Sequence, residues 1–104
     1  MADTTMTDPL GREIVLHDRT WYGHVVKGHP EVARYRDLVV AAVTGPAEVR
    51  HSTSDADCRV YSGRGPRPSV MMAVVADVVA GIVRTVYLTK KPSAGVLEWS
   101  SPKQ

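Results

Sequence analysis

The stretch "VMMAVVADVVAGIVRTVYLT", residues 70–89, decides the fold because it is compatible with two different secondary structures. Its apolar run is long enough for one buried helix, and periodicity alone does not distinguish that helix from two strands. The high density of β-branched residues and the glycine at Gly81 favour strands. We therefore predict strands over residues 70–77 and 81–89, joined by a turn near Asp77–Gly81, with the first strand buried on both faces.

Helical signals precede this stretch. The segment "WYGHVVK" (residues 21–27) follows Asp18 and Thr20, either of which can cap a helix, and Gly28 suits the end of that helix. Pro30 suits the first turn of a second helix, which Gly45-Pro46 ends. That helix carries an apolar stripe at Val32, Tyr35, Leu38, Val39, Ala42 and Val43.

Shorter strands are predicted at residues 13–17, 58–62 and 95–99. Helices that precede a run of strands indicate an α+β domain, with N-terminal helices packed on a mostly antiparallel sheet of about four strands. We expect a flexible leader over residues 1–11, a single domain over residues 12–100 and a tail at residues 101–104.

Composition narrows the class of protein. With 104 residues, 43% hydrophobic and 23% charged, the chain is typical of one globular domain. Its net charge of +2 suits a polyanionic ligand but is too small to indicate nucleic-acid binding by itself. The lone Cys58 excludes an internal disulfide and favours a reducing compartment. No signal peptide and no apolar run of about 20 residues is present, so we expect a cytoplasmic protein without a membrane partner.

Several chemical motifs are absent. The four histidines and one cysteine show no CxxC, HxxxH or HExxH spacing, so we predict no metal site and no cofactor. The segment "SGRGPRP" (residues 62–68) contains GxG without a following Gly-Lys-Ser/Thr, and it is predicted to be a basic connection between strands. A GxSxG nucleophile motif is also missing.

A scattered polar set remains that the core does not require. Arg59 and Tyr61 share one face of their strand, and Thr85, Tyr87 and Thr89 share one face of theirs. RNA cleavage needs a base for the ribose 2′-OH, an acid for the leaving oxygen, and cations or hydroxyls that hold the phosphorane charge. Histidine, glutamate, arginine, threonine and tyrosine supply those roles near neutral pH.

Each of these residues also has a structural interpretation. His29 and Glu31 suit the start of a helix, where an acidic side chain complements the dipole. The strand arginines suit a solvated face, and Tyr61 and Tyr87 suit cross-strand packing. Residue by residue the structural interpretation is the simpler one, so only the combination favours a functional site.

The order of the segments resembles the phage-associated branch of the barnase-EndoU-colicin-RelE (BECR) nuclease superfamily. The resemblance covers roughly residues 13–99. Its most specific pieces are His29-Pro30-Glu31, with Trp21 and His24 before it, and Thr85-x-Tyr87-x-Thr89, with Gly95 and Trp99 after it. The resemblance implies a small α+β fold and a metal-independent ribonuclease, often a toxin acting on tRNA or mRNA, that leaves a cyclic phosphate.

Roles follow from the resemblance position by position. It makes His29 a general acid or base, Arg59 a ligand of the scissile phosphate and Thr85 a hydrogen-bond donor to that phosphate. His24 and Glu31 are weaker catalytic candidates. The expected RNA-binding residues are Tyr61, Arg84, Tyr87, Thr89, Lys90, Lys91 and Arg50. A potent toxin would also need an antitoxin or immunity protein as a partner.

Two other classes of function remain open. A non-catalytic module that binds RNA or a protein predicts that Arg50, Arg59, Arg64, Arg67, Lys90 and Lys91 cluster while the histidines are buried. An assembly protein would bury a sheet edge in a homodimer. A cleft that joins the start of the second helix to the Thr85–Thr89 face would favour the nuclease.

Overall fold

A computed structural model describes residues 3–102 and is built mainly of strands. Residues 70–89 form two of them, as predicted, and Gly81 closes the turn between them with a φ of +73°, which only glycine adopts without strain. The strands of the described residues are β1 (Thr4–Thr7), β2 (Glu13–Leu16), β3 (Glu48–His51), β4 (Cys58–Arg64), β5 (Met71–Asp77), β6 (Ile82–Thr89) and β7 (Leu97–Ser100).

These strands form one curled, mixed sheet in the order β1-β2-β6-β5-β4-β3-β7. Strands β2 and β6 run parallel and meet at Val15 and Ile82, whereas every other neighbouring pair is antiparallel. A bulge in β6 lies opposite the step from Val75 to Ala76, so Thr85 pairs with Val75 while Val83 pairs with Ala76. The extra residue in that bulge is Arg84.

Two helical segments connect β2 to β3. The first, α1, covers residues 18–28 and consists of α-helical turns at Asp18–Thr20 and Val26–Gly28 on either side of a π-helical segment, Trp21–Val25. The second, α2, is Arg36–Thr44 and follows a 3-10 turn at Pro30–Val32. The second helix therefore does not begin at Pro30 as predicted, because Tyr35 adopts a non-helical backbone conformation just before α2.

The start of α1 also differs from the prediction. The N-cap position is His17, which offers no capping side-chain hydrogen bond, so neither Asp18 nor Thr20 is the cap. Instead the N–H of Asp18 donates a 2.9 Å hydrogen bond to Oδ1 of Asp3, which precedes β1. Nδ1 of His17 lies 2.8 Å from the other oxygen of that carboxylate. A residue remote in sequence thus satisfies a helix terminus, which local pattern cannot reveal.

The core lies between α2 and the concave face of the sheet. Gly63 of β4 permits close approach, since a Cβ there would lie 2.8 Å from Cα and Cβ of Ala42. The predicted apolar stripe of the helical region faces this core, with Tyr35 and Leu38 half-buried and Val32, Val39, Ala42 and Val43 buried. Trp21 of α1 and Tyr61 of β4 are the largest fully buried side chains.

The predicted fold class is wrong. We expected N-terminal helices on an antiparallel sheet of about four strands, and the described residues instead form a seven-stranded mixed sheet with short helices inserted after the first hairpin. Strand β1 lies within the segment expected to be a flexible leader, and β3 was also missed. Each contains a single apolar residue, Met6 in β1 and Val49 in β3, so neither shows an alternation of apolar side chains.

The two ends of the curled sheet are joined by an ion pair. Arg12, in the turn between β1 and β2, places Nη2 2.8 Å from Oε1 of Glu98 in β7. Strands β1 and β7 are the outermost strands of the sheet, so this contact draws the edges of the curl together. None of the helices formed by residues 3–102 is long and apolar enough to cross a bilayer.

Candidate functional site

The candidate site lies where α1 runs beside β6. Within residues 3–102, β2 pairs with β6 at Ile82, and the rest of that edge of β6 is available to helical residues. His24 and Thr20 of α1 line a shallow hollow together with Arg84 and Thr85 of β6. Two sequence candidates from segments sixty residues apart, His24 and Thr85, thus share one surface.

His29 lies in the short connection between α1 and the 3-10 turn, beside a later part of β6 than His24. Its ring centroid is 6.2 Å from that of Tyr87, with the ring planes tilted by 39°. Its Nδ1 is 3.4 Å from Oε2 of Glu31. The N–H of His29 donates to the carbonyl of Val25 at 2.7 Å, so the end of α1 fixes the backbone from which the imidazole projects.

These side chains are accessible to solvent. The side chains of His29 and Glu31 are 40% and 47% exposed, and His24 is exposed as well. Thr85 and Tyr87 lie on the same outward face of β6, because they are two residues apart and follow the bulge at Arg84. The structure therefore brings together five of the expected residues on one open flank: His24, His29, Glu31, Thr85 and Tyr87.

Arg84 contributes a cation at the end of this flank where the hollow lies. Its Nη2 lies 3.2 Å from Oδ2 of Asp77, and its side chain is 54% exposed. The pKa of Asp77 is lowered chiefly by the hydrogen bond from the N–H of Ala80, against the effect of burial, with further help from Arg84. Asp77 therefore stays ionised, and it holds Arg84 beside the hollow while leaving much of the guanidinium in water.

Arg59 and Tyr61 are not part of this flank. They project from the opposite face of the sheet. Val60, which lies between them, pairs with Val75, and Val75 pairs with Thr85, so Val60 and Thr85 share a face that Arg59 and Tyr61 do not. Nε of Arg59 lies 3.0 Å from Oε2 of Glu98, and its Nη1 donates to the carbonyl of Ala56 at 2.9 Å. The structure thus separates the expected phosphate ligand from the histidines.

Tyr61 belongs to a buried polar network near the tip of the first hairpin. Its hydroxyl donates to Oδ2 of Asp8 at 2.5 Å, and Nε of Arg12 donates to the same oxygen at 2.8 Å. Burial is the largest influence on Asp8 and opposes its ionisation, but the hydrogen bonds from Tyr61 and Arg12 outweigh burial and lower its pKa. Burial and the Asp8 carboxylate together raise the pKa of Tyr61, so its hydroxyl remains a donor.

The remaining expected RNA-binding residues divide between two places. Arg50 is held by Glu48, with Nε 2.6 Å from Oε2, and Nη1 of Arg50 also donates to the carbonyl of Gly95 at 2.9 Å. Thr89 ends β6, and its hydroxyl accepts a 3.2 Å hydrogen bond from the N–H of Lys91. Lys90 and Lys91 are exposed there, three and four residues after Tyr87.

Sequence reasoning missed the carboxylates that decide which arginines are available. Glu98 pairs with Arg12 and Arg59, which are distant in the chain, whereas Asp8 and Glu48 lie only four and two residues from Arg12 and Arg50, a spacing that the sequence does show. Among residues 3–102, no three His, Cys, Asp or Glu side chains are grouped to hold a metal ion. No protein-family model matches the chain, and neither a curated protein nor a solved structure matches it.

Proposed function

We propose that this protein is a small endoribonuclease whose site is the flank formed by His24, His29, Glu31, Thr85 and Tyr87. One observation carries the proposal: an accessible imidazole, His29, lies against a carboxylate and a tyrosine ring, beside a hollow that holds a second histidine and a threonine. The proposal also draws on the resemblance of the His29-Pro30-Glu31 and Thr85-x-Tyr87-x-Thr89 segments to BECR nucleases, which involves the same residues.

The proposed reaction is a transesterification. One imidazole accepts the proton of a ribose 2′-OH, and the 2′-oxygen forms a bond to the adjacent phosphorus. The bond from phosphorus to the 5′-oxygen breaks, and that oxygen takes a proton from an acid. The products are a 2′,3′-cyclic phosphate and a 5′-hydroxyl. His24 and His29 both belong to the proposed site, so one imidazole can act as the base and the other as the acid.

Neighbouring groups complete the proposed site. Glu31 orients the imidazole of His29, since its Oε2 lies 3.4 Å from Nδ1 of His29. Tyr87 offers an aromatic face on which a base can stack, and Thr85 a hydroxyl for a phosphate oxygen. Arg84 supplies positive charge at the hollow. Arg59 has no role in this proposal because Glu98 already engages it.

The second candidate is a module that binds RNA without cutting it. The observation that favours it is the openness of the flank, since the side chains of His29 and Glu31 are 40% and 47% exposed, although the burial of the histidines that this candidate predicts is not found. The two candidates share a ligand and differ in chemistry, so one experiment distinguishes them.

The test is cleavage of a 5′-labelled RNA in EDTA by the wild-type protein, His29→Ala and His51→Ala. His51 lies in β3, away from the flank, and serves as the matched histidine control. We expect wild type and His51→Ala to produce cyclic-phosphate ends, and His29→Ala to be roughly 100-fold slower or more, as for loss of a general acid or base. Equal rates for wild type and His29→Ala would exclude this site. RNA retained without cleavage would favour the binding module.

A further inference from the structure

Two arginines lie where β4 leads into β5: Arg64 is the last residue of β4, and Arg67 lies in the constrained loop that follows. At Gly65 the chain turns so tightly that a Cβ would lie 2.1 Å from the carbonyl oxygen of Val70. The N–H of Val70 donates to the carbonyl of Arg67 at 3.1 Å, and prolines on either side of Arg67 restrict the backbone further. The two arginines therefore project from a constrained backbone.

Two hollows flank this loop. One, of about 540 Å³, is lined by Arg64 and Arg67. The other lies on the far side of Arg64, where Arg34 and Tyr35 form the opposite wall. Three exposed arginines, Arg34, Arg64 and Arg67, therefore surround one small area, with Tyr35 as an aromatic surface beside them.

These arginines differ from most of the others because no carboxylate pairs with them; within residues 3–102, Arg19 of α1 is the other arginine without an ion pair. Arg12, Arg36, Arg50, Arg59 and Arg84 each lie within 3.2 Å of a carboxylate oxygen. Over the part of the chain that the structure describes, Arg34, Arg64 and Arg67 form no ion pair. Asp37 is the acidic residue that also lines the second hollow, so the balance of charge there stays positive.

The strand register connects this loop to the end of β6. Arg64 pairs with Met71, and Met71 pairs with Thr89, so Arg64 and Thr89 are separated by two strand spacings, about 10 Å. Lys90 and Lys91 follow Thr89 directly. One end of the sheet therefore carries a basic rim composed of Arg34, Arg64, Arg67, Lys90 and Lys91.

We propose that this rim binds the phosphodiester backbone of single-stranded RNA and guides it to the flank at Tyr87 and His29. Thr89 lies between the two surfaces, because it is two residues after Tyr87 on the same face of β6 and directly precedes Lys90 of the rim. Guanidinium groups on a constrained backbone suit phosphate, which they contact through paired N–H donors. The proposal deepens the proposed nuclease function and rests on it for the identity of the strand.

The test is binding of a 2′-O-methyl oligoribonucleotide of 12 residues, which lacks the nucleophilic hydroxyl and so separates binding from cleavage. Fluorescence anisotropy at a series of salt concentrations compares wild type with Arg64→Gln/Arg67→Gln. The control, Thr53→Glu/Ser54→Glu, lowers the net charge by the same two units in the loop between β3 and β4. That loop lies at the opposite end of β4, about 20 Å away.

We expect Arg64→Gln/Arg67→Gln to bind about tenfold more weakly than wild type at low salt. For this variant the slope of log K against log salt concentration should be shallower by about 1.4. Each phosphate contact to a single strand contributes about 0.7 to that slope, and two contacts are lost. The control should match wild type. Equal weakening in both variants, or no binding by wild type, would refute the proposal that the rim binds RNA. If the wild type cleaves RNA but the rim substitutions do not weaken binding, the proposed nuclease function stands and the rim is excluded. If the rim substitutions weaken binding but the wild type does not cleave RNA, the rim stands and the nuclease function is excluded.

Discussion

The hydroxyl of Tyr61 donates a 2.5 Å hydrogen bond to Oδ2 of Asp8, fifty-three residues earlier in the chain. The Asp8 side chain is completely buried, and Arg12 bridges from it to Glu98 in the last strand. This network converts an open seven-stranded sheet into a curl, because it binds the tip of the first hairpin to β4 and β7. Tyr61 is buried in this network, and we predict that its role is structural and that it does not contact RNA.

Replacing Tyr61 by phenylalanine should lower the free energy of unfolding by about 2 kcal/mol, since a hydrogen bond to a buried carboxylate is lost without a cavity. Urea denaturation at pH 7 measures the change. Tyr22→Phe is the matched control, because Tyr22 is half-exposed on α1 and its hydroxyl can turn to water. A Tyr61→Phe protein as stable as Tyr22→Phe would contradict the structural role of the network.

The same network predicts acid sensitivity. The pKa of Asp8 lies below its ordinary value of 3.8 in the folded protein, so ionised Asp8 contributes stability that is fully present above pH 3.8. That contribution is lost as the pH falls from 3.8 through the folded pKa. Asp8→Asn should be less stable than wild type at pH 7, and the difference should narrow at pH 2. Denaturation at both pH values checks this, and a constant difference would refute it.

Arg59→Gln should lower stability and leave RNA binding unchanged. Its guanidinium is largely buried against Glu98, so removing it leaves that carboxylate with Arg12 alone and costs about 1–2 kcal/mol, less than a fully buried pair. Urea denaturation gives the stability, and anisotropy with the 2′-O-methyl oligonucleotide gives the affinity. A tenfold loss of affinity in a folded Arg59→Gln protein would instead return Arg59 to the binding site.

Tyr87→Ala should weaken binding of the same oligonucleotide by about tenfold, because base stacking on an aromatic ring contributes roughly 1–3 kcal/mol. Tyr87→Phe keeps the ring and should bind like wild type. The pair separates stacking from hydrogen bonding by the hydroxyl. Equal weakening in both variants would assign the effect to the hydroxyl, and no weakening in either would remove Tyr87 from the site.

Two glycines should respond in opposite directions to alanine. At Gly95 a Cβ would lie 1.6 Å from the carbonyl oxygen of His51, so Gly95→Ala must push β7 away from β3 and should cost about 1–3 kcal/mol. At Gly23, in α1, a Cβ meets nothing within 4 Å, and Gly23→Ala should stabilise the protein by about 0.5–1 kcal/mol. Thermal denaturation of both variants measures the contrast, and destabilisation by both would contradict it.

The sequence alone was sufficient for the elements with strong local signals. The β-branched run at residues 70–89 predicted β5, β6 and the turn at Gly81, and helical spacing predicted which residues of α2 face the core. It also singled out His29, Glu31, Thr85 and Tyr87, which the structure places on one flank. These predictions succeed because alternation, helical periodicity and glycine conformation are properties of neighbouring residues.

Only the tertiary structure decided which charges are free. Arg59, Arg64 and Arg67 are alike in the sequence, yet Glu98 neutralises Arg59, while Arg64 and Arg67 are exposed at and after the end of β4. Likewise Asp3 satisfies the start of α1, and Arg12 with Glu98 joins the ends of the sheet. Such pairings depend on strand order and sheet curvature, which bring distant segments within 3 Å and leave no trace in local spacing.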